Sequence, residues 1–327
     1  MKEIIECVVN ISEGQRQHIL NKISASIKSV DHTILSHVDI GYDANRTVFT
    51  FFTTLDSLGK TIFNIYETAF AAIQMDFHTG KHPRLGIVDV CPFIPIKGIT
   101  KEKLIPVVDK LARQIGDRFD IPVYLYEDSS PVNRRLESIR QGEYESLEPR
   151  LLNQDNLPDY GSFKNYKTHG GTIMGVRSFL LAYNINLETD DISIAKDIAK
   201  RIRGSGYKSN GQRVSGKFKS VKAIGWYIKE YGFAQVSTNL TDYHQCCFHD
   251  VFETSESLAN ELGTSVTGSE LIGLCPKEAL LISGKYYSND ANEENIIQAA
   301  ISNLGLDQLE KFIPEERIVE LVLNRLT

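Results

Sequence analysis

No run of eighteen consecutive apolar residues occurs anywhere in the 327-residue chain, so no membrane-spanning helix is expected. The first residues, Met-Lys-Glu-Ile-Ile-Glu-Cys-Val-Val, hold only a short apolar stretch broken by Glu6, with no small-residue cleavage site after it. A secretory leader is therefore not expected. A disulfide framework is missing too: Cys7, Cys91, Cys246, Cys247 and Cys275 are odd in number and scattered, mostly in apolar surroundings. Such cysteines are expected to be buried, reduced thiols of a cytoplasmic protein. Without a secretory route, the three Asn-x-Ser/Thr matches at Asn10, Asn45 and Asn239 carry no glycosylation signal. An excess of basic charge is absent as well. Thirty-six Lys and Arg against 42 Asp and Glu leave a net charge of -6, which argues against a dedicated nucleic-acid binder.

What is present is an ordinary globular composition and a length of about two domains. Residues 4–9 form a short apolar run that predicts a strand. Ile19, Leu20, Ile23, Ile27 and Val30 follow at helical spacing. Residues 34–40 and 47–53 read as strands separated by the turn chemistry of Gly-Tyr-Asp-Ala-Asn. Asp56 is expected to cap a helix carrying Ile62, Ile65, Tyr66, Phe70 and Ile73, and residues 86–96 resume as strand. The order is β-α-β-β-α-β, that of ferredoxin-like folds. A helix over 101–115, a strand over 122–126 and a helix opening at Ser130-Pro131 extend this unit.

The second half repeats the order without convincing sequence identity to the first. A strand is expected over 178–187, then a helix capped by Asp191, a hairpin of strands 221–228 and 233–240, a helix over 251–262 and a strand near 265–268. Residues 292–327 read as two amphipathic helices. The expected fold class is α/β of the α+β kind: two ferredoxin-like subdomains, residues 1–180 and 181–327, flanking a substrate cleft.

Seven motifs then stand in one order along the chain. They are Glu6-Cys-Val-Val-Asn-Ile-Ser-Glu-Gly, Gly41-Tyr-Asp-Ala-Asn-Arg-Thr-Val, Gly80-Lys-His-Pro-Arg-Leu-Gly with Asp89-Val-Cys-Pro-Phe-Ile-Pro, Gly171-Thr-Ile-Met-Gly-Val-Arg, Tyr183-Asn-Ile-Asn-Leu, Gln235-Val-Ser-Thr-Asn-Leu and Gly268-Ser-Glu-Leu-Ile-Gly. Together they resemble the signature of glutamate formimidoyltransferases. Departures are small: Val9 stands where that pattern has proline, and Gly171 where alanine is common.

The resemblance implies a reaction. The formimino group of N-formimino-L-glutamate passes to N5 of tetrahydrofolate, a co-substrate, giving L-glutamate and 5-formiminotetrahydrofolate in histidine degradation. It also implies a cytoplasmic homodimer, with any cyclodeaminase a separate protein, no metal, no nucleic acid and no membrane partner. Two other readings stay open: an enzyme using 5-formyltetrahydrofolate, either moving formyl to glutamate or forming methenyltetrahydrofolate, and a non-catalytic folate binder. A binder needs no proton shuttle, which counts against the last.

The chemistry asks for one nitrogen to lose a proton and another to gain one. A histidine with a near-neutral pKa does both, and no Ser or Cys nucleophile is needed. His82 stands at the position the family uses as catalytic base. Pro83 after it and Gly80 and Gly86 around it place it in an extended loop. Asp39, at a strand end, is a candidate to orient the imidazole or hold the formimino nitrogen; a turn-forming Asx residue is the plainer alternative. Arg46 and Arg84 are candidates to clamp substrate carboxylates, with structural ion pairs as the alternative. Phe163, Lys164, Asn165, Tyr166, Lys167, Thr168, His169, Gly170, Gly171 and Thr172 match the family's folate-binding stretch. There, aromatics would stack on a pterin, lysines would meet its glutamate tail, and glycine N–H groups would approach the ligand.

Three patterns carry less. His78 and His82 have helical metal-pair spacing, but Gly80 and Pro83 oppose a helix. His244, Cys246, Cys247 and His249 lie too close together to close readily around one ion. Gly211-Gln-Arg-Val-Ser-Gly-Lys nearly spells a phosphate-binding loop, yet Phe218 replaces its Ser/Thr. Between residues 200 and 222, eight Lys and Arg stand with no Asp or Glu, which reads as a solvated loop or as an attractor of polyglutamylated folate.

Overall fold

The computed structural model describes residues 3–80, 82–150, 157–209 and 211–324. The chain forms two compact units, the first ending at Arg177 and the second beginning at Ser178.

The first unit runs β1 (Ile4–Ile11), α1 (Gln17–Lys28), β2 (Thr33–Gly41), β3 (Arg46–Thr54), α2 (Leu55–Phe70) and β4 (Val88–Lys97). Next come α3 (Lys101–Phe119), β5 (Val123–Leu125), the short turns α4 (Leu136–Ile139), α5 (Leu147–Arg150) and α6 (Tyr166–His169), and β6 (Thr172–Val176). The sheet order is β2-β3-β1-β4-β6-β5. Neighbours among the first four strands are antiparallel, which is the ferredoxin-like arrangement of a β-α-β-β-α-β unit. Strand β6 adds parallel to β4, and β5 parallel to β6.

Alternation along the strands sorts the two faces. Ile5, Cys7, Val9 and Ile11 of β1, with Phe49 and Phe51 of β3, bury against Ile19, Ile23 and Ile27 of α1 and Ile62 and Ile65 of α2. The intervening residues Glu6, Asn10, Val48 and Asp39 lie on the other face. The register aligns Asp39 with Val48, Val48 with Asn10 and Asn10 with Val90 in one row across four strands. Over β4, β5 and β6 this second face is covered by Leu85 of the loop before β4 and by Ile139, Leu147 and Tyr166 of the connection between β5 and β6.

The second unit runs β7 (Leu181–Leu187), α7 (Ile192–Ile202), a small hairpin of β8 (Tyr207–Ser209) and β9 (Gln212–Val214), β10 (Val221–Ile228), β11 (Phe233–Leu240), α8 (Phe248–Glu261) and β12 (Val266–Ile272). It ends in α9 (Lys277–Tyr287), α10 (Glu293–Asn303), α11 (Pro314–Arg317) and α12 (Val319–Leu323). Its antiparallel sheet, β10-β11-β7-β12, repeats the order of the first. The Asp191 carboxylate accepts the Ser193 N–H and so caps α7 as expected. Among the described residues no helix is long and apolar enough to cross a membrane.

Several expectations need correction. Asp56 lies inside the first turn of α2, and Thr54 is the capping position. No helix opens at Pro131; residues 131–135 are turn and extended chain, and helix begins only at Leu136. Strand β6 and helix α9 were not anticipated. The tail has one full helix, α10, followed by the short α11 and α12, and residues 325–327 lie outside the described set. The pattern that resembled a phosphate loop sits in the β8–β9 hairpin rather than between a strand and a helix.

One contact sets the position of the loop before β4. Gly86 and Gly170 pair as an isolated bridge, and the Gly171 N–H donates to the Leu85 carbonyl at 3.0 Å. A Cβ on Gly86 would stand 2.2 Å from the Gly171 carbonyl oxygen. One on Gly170, whose φ is +74, would stand 2.3 Å from the Gly86 Cα. Gly86→Ala should therefore lower stability by about 1–3 kcal/mol or more. Gly59→Ala, in α2 with nothing near its Cβ, should raise it by about 0.5–1 kcal/mol. Urea denaturation of the two variants beside the wild type checks both signs.

Candidate active site

Three of the motifs converge around the loop bearing His82. The Asn45 carboxamide oxygen accepts the Gly14 N–H at 2.9 Å, and its nitrogen donates to the Thr79 carbonyl at 2.7 Å. The Thr47 hydroxyl donates to the Glu13 carbonyl, and the Ser12 hydroxyl to that of Gly86, at 2.6 and 2.7 Å. Residues 6–14, 41–48 and 80–86 thus form one hydrogen-bonded frame.

Inside it, His82 is partly buried and its Nδ1 lies 2.7 Å from the Pro83 carbonyl. A carbonyl only accepts, so Nδ1 carries the hydrogen and Nε2 presents a lone pair. Burial pushes the His82 pKa down to about 3, with the guanidiniums of Arg46 and Arg140 adding to the effect. This departs from the near-neutral value expected for a shuttle. His78 differs. Its Nε2 lies 3.0 Å from the Asn45 carbonyl and so donates to it, while its Nδ1 is buried without a partner. That makes His78 a strut of the frame rather than half of a metal pair.

Arg46, at the start of β3, directs its guanidinium to the Asn10 side-chain oxygen, with Nε at 3.0 Å and Nη2 closer still. Burial lowers its pKa to about 10; Arg140 acts in the same direction, and Asp89 and Asp39 oppose. Asp39, partly buried on β2, shares the sheet face of Asn10. Arg84 is already engaged: its guanidinium donates to Glu143 at 2.9 Å and to both carboxylate oxygens of Glu145 at 2.7 and 3.0 Å. That is the ion-pair alternative, and it leaves Arg84 as an anchor of the loop.

The residue that sequence reasoning missed is Arg140. It follows α4 and pairs with Asp89, which is 1% exposed and also accepts the Leu85 N–H at 2.8 Å. Asp89 stands at an irregularity in β4, where Asn10 pairs with Val90 but Ile11 pairs with Val88. No spacing rule links residues 89 and 140. Asp89 lies in a quoted motif, but nothing marked it as an anchor.

The stretch 163–172 is a tight turn packed behind this loop. The Gly170 N–H donates to the Tyr166 carbonyl and the Gly171 N–H to that of Leu85, so neither is available to a ligand in the way expected from sequence. The Lys164 ammonium lies 2.8 Å from Asp120, and Lys167 is 3.6 Å from Glu148. His169 packs on Phe70, ring centroids 4.4 Å apart, and Phe163 meets Tyr166 edge-on. Lys164, Lys167 and Thr168 remain exposed.

In the second unit, the sheet face opposite its helices carries a buried polar row. Gln235 donates to Asn186 at 2.7 Å and to Glu270 at 3.2 Å, Asn184 donates to Glu270, and the Trp226 indole donates to Gln235. The motifs at 183–187, 235–240 and 268–273 coincide with this network. The basic stretch 200–222 is partly engaged: Arg201 pairs with Asp197 and Glu261, and Arg203 donates to the carbonyls of Gly206 and Ala223. Cys247 belongs to the N-terminal cap of α8, with its thiol donating to the Ala279 carbonyl. Among the described residues no group of three or more His, Cys, Asp or Glu is placed to hold a metal ion.

Two ferredoxin-like units, the first carrying a loop histidine that feels the guanidiniums of Arg46 and Arg140, define a two-part α+β protein. The comparisons narrow the class. "Formiminotransferase domain, N-terminal subdomain" matches residues 4–177, and "Formiminotransferase domain" matches residues 182–324. The chain belongs to the formiminotransferase family. It is 39% identical over 289 residues to a glutamate formimidoyltransferase of Streptococcus pyogenes serotype M1, covering 88% of this chain and 94% of that relative. A second glutamate formimidoyltransferase, from Thermoplasma acidophilum, is 33% identical and 96% covered. The formimidoyltransferase-cyclodeaminase of Dictyostelium discoideum is 38% identical across 99% of this chain, which spans 61% of that relative's length.

Glu6, on the same strand face as Asn10, is 3% exposed, and burial pushes its carboxyl up to about 7, partly offset by Arg177. A folded-state pKa above the ordinary 4.5 means the native state holds this proton more tightly. Its contribution is full below about pH 4.5 and is lost as pH rises to 7, about 3 kcal/mol in all at 1.36 kcal/mol per pKa unit. Glu6→Gln should match the wild type in urea denaturation at pH 5 and exceed it at pH 8.

Proposed function

We propose that this protein transfers the formimino group of N-formimino-L-glutamate to N5 of tetrahydrofolate, with residues 1–180 and 181–327 as the two subdomains of one transferase. The observation that carries the reading is His82. It has a loop-held imidazole with its Nε2 lone pair unprotonated, in the chain of a family whose S. pyogenes member is a glutamate formimidoyltransferase.

His82 Nε2 takes the proton that the attacking nitrogen sheds on bonding to the amidine carbon, and returns it to the departing glutamate nitrogen. Without the first transfer the tetrahedral adduct reverts; without the second, glutamate is a poor leaving group. Asp39, on the sheet face that holds Asn10 and Arg46, suits a hydrogen bond to the cationic amidine. Arg46 suits a substrate carboxylate, whereas Arg84, gripped by Glu143 and Glu145, serves to hold the loop. Residues 163–172 are assigned to folate. Their exposed Lys167 and Thr168 and the partly exposed Phe163 and His169 are the groups that fit a pterin and its anionic tail.

A cytoplasmic homodimer belongs to the same reading. All five cysteines are buried and unpaired, in keeping with a reducing compartment, and sedimentation velocity reads the assembly state.

The test is direct. Purified protein and tetrahydrofolate should release L-glutamate from formiminoglutamate. Turnover with 5-formyltetrahydrofolate but not with formiminoglutamate would reassign the donor. His82→Ala should lower kcat by about 10²–10⁴-fold, the usual contribution of a general acid–base group, with tetrahydrofolate affinity nearly unchanged. Near wild-type turnover in that variant would remove His82 from the mechanism.

A further inference from the structure

Arg46 is an unusual cation. Among the described residues its direct partner is the neutral Asn10 oxygen, although partly buried guanidiniums ordinarily face a carboxylate. Arg140 is its neighbour by construction. Asn10, which holds Arg46, pairs across the sheet with Val90, and Asp89, which holds Arg140, is the residue next to Val90. Both guanidiniums bear on His82. The carboxylates of Asp39 on β2 and Asp89 on β4 bear on Arg46. Asp89 also holds Arg140 and the Leu85 N–H.

We propose that Arg46 and Arg140 form a seat for a substrate carboxylate beside His82, and that docking of this carboxylate is what fits the imidazole to carry a proton. The inference rests on the transferase reading and deepens it: Arg140 becomes a substrate-binding residue of the reaction, and the anion becomes part of the catalytic apparatus. The electrostatic logic follows from the geometry. With the seat empty, burial first and then the two positive charges hold His82 neutral, so it can accept a proton only weakly and retain it briefly. A carboxylate held by the two guanidiniums cancels part of that field in a partly buried site, where charges act more strongly than in open water. The imidazolium formed when Nε2 takes the proton then persists long enough to protonate the leaving nitrogen. A molecule lacking the carboxylate leaves His82 unable to shuttle, so the seat couples recognition to chemistry.

Two sources supply the anion: the glutamate portion of formiminoglutamate and the glutamate tail of the folate. Histidine NMR of the wild-type protein, with His82 assigned by its loss in His82→Asn, separates them through titrations with L-glutamate and with 5-formyltetrahydrofolate. The ligand whose carboxylate is seated should raise the His82 midpoint by two or more pH units. In Arg46→Gln the midpoint should already be higher without ligand and respond little to it. KM for the corresponding substrate should rise about 10–100-fold in that variant, the loss of a charge-assisted hydrogen bond. Arg140→Lys keeps the charge on Asp89 but loses the guanidinium fork, and should give a smaller rise in the same KM.

A His82 midpoint unmoved by either ligand would overturn the proposal, with no variant required. So would Arg46→Gln and Arg140→Lys with both KM values within twofold of wild type while His82→Ala is inactive. That second outcome leaves the transferase reading standing. Conversely, absence of turnover with either donor removes the transferase reading, and the wild-type titration still decides the seat.

Discussion

The buried carboxylate of Asp89 is the constraint on which the first unit's architecture turns. It is 1% exposed and accepts from the Leu85 N–H and from Arg140. A charge so placed is tolerable only while its partners are in place, and removing one partner of such a pair typically costs about 3–5 kcal/mol. One side chain therefore joins an irregular point of β4, the loop that carries His82 and Arg84, and the segment around α4. Arg84 repeats the device one layer out, tying the same loop to Glu143 and Glu145. The loop's shape is thus set by charge as well as by backbone pairing.

The fold was largely legible because its signals are local. Ile19, Leu20, Ile23 and Ile27 at helical spacing are the residues α1 buries, and the hairpin read at 221–228 and 233–240 has the observed ends of β10 and β11. Strand β6 was not legible. Its five residues pair in parallel with β4 and β5, so its partners are set by tertiary arrangement rather than by a turn beside it. Pro131 misled for a similar reason: a proline suited to a first helical turn also suits an ordinary turn, and nothing in the flanking sequence separated them.

The site divides along the same line. His82, Asp39 and Arg46 lie on one unit's loop and strands within quoted motifs or at their edges; side-chain chemistry made them candidates, and for His82 the family resemblance added its weight. Arg84 looked equally suitable, but its guanidinium meets two glutamates some sixty residues away, which no local pattern announces. Arg140 is the converse case: an unremarkable arginine in sequence that Asp89 draws toward the base of the His82 loop. The glycines at 170 and 171 were read as openings for a ligand, whereas they are the places where two backbones touch.

That backbone contact has a consequence for the order in which the unit is made. The chain is synthesised from its N-terminus, and residues 3–97 contain the whole first β-α-β-β-α-β repeat along with His82. Yet the seat of the His82 loop needs Gly170, the Thr172 hydroxyl that meets the buried Tyr66, and β6 beside β4. Contacts this distant in sequence close late, because loop entropy must be overcome before they are gained. A nascent chain can hold most of the sheet, with His82, Asp39 and Arg46 already present, while its loop is still unsupported, and the exposed edge of β4 is open to mispairing until residue 176 has emerged.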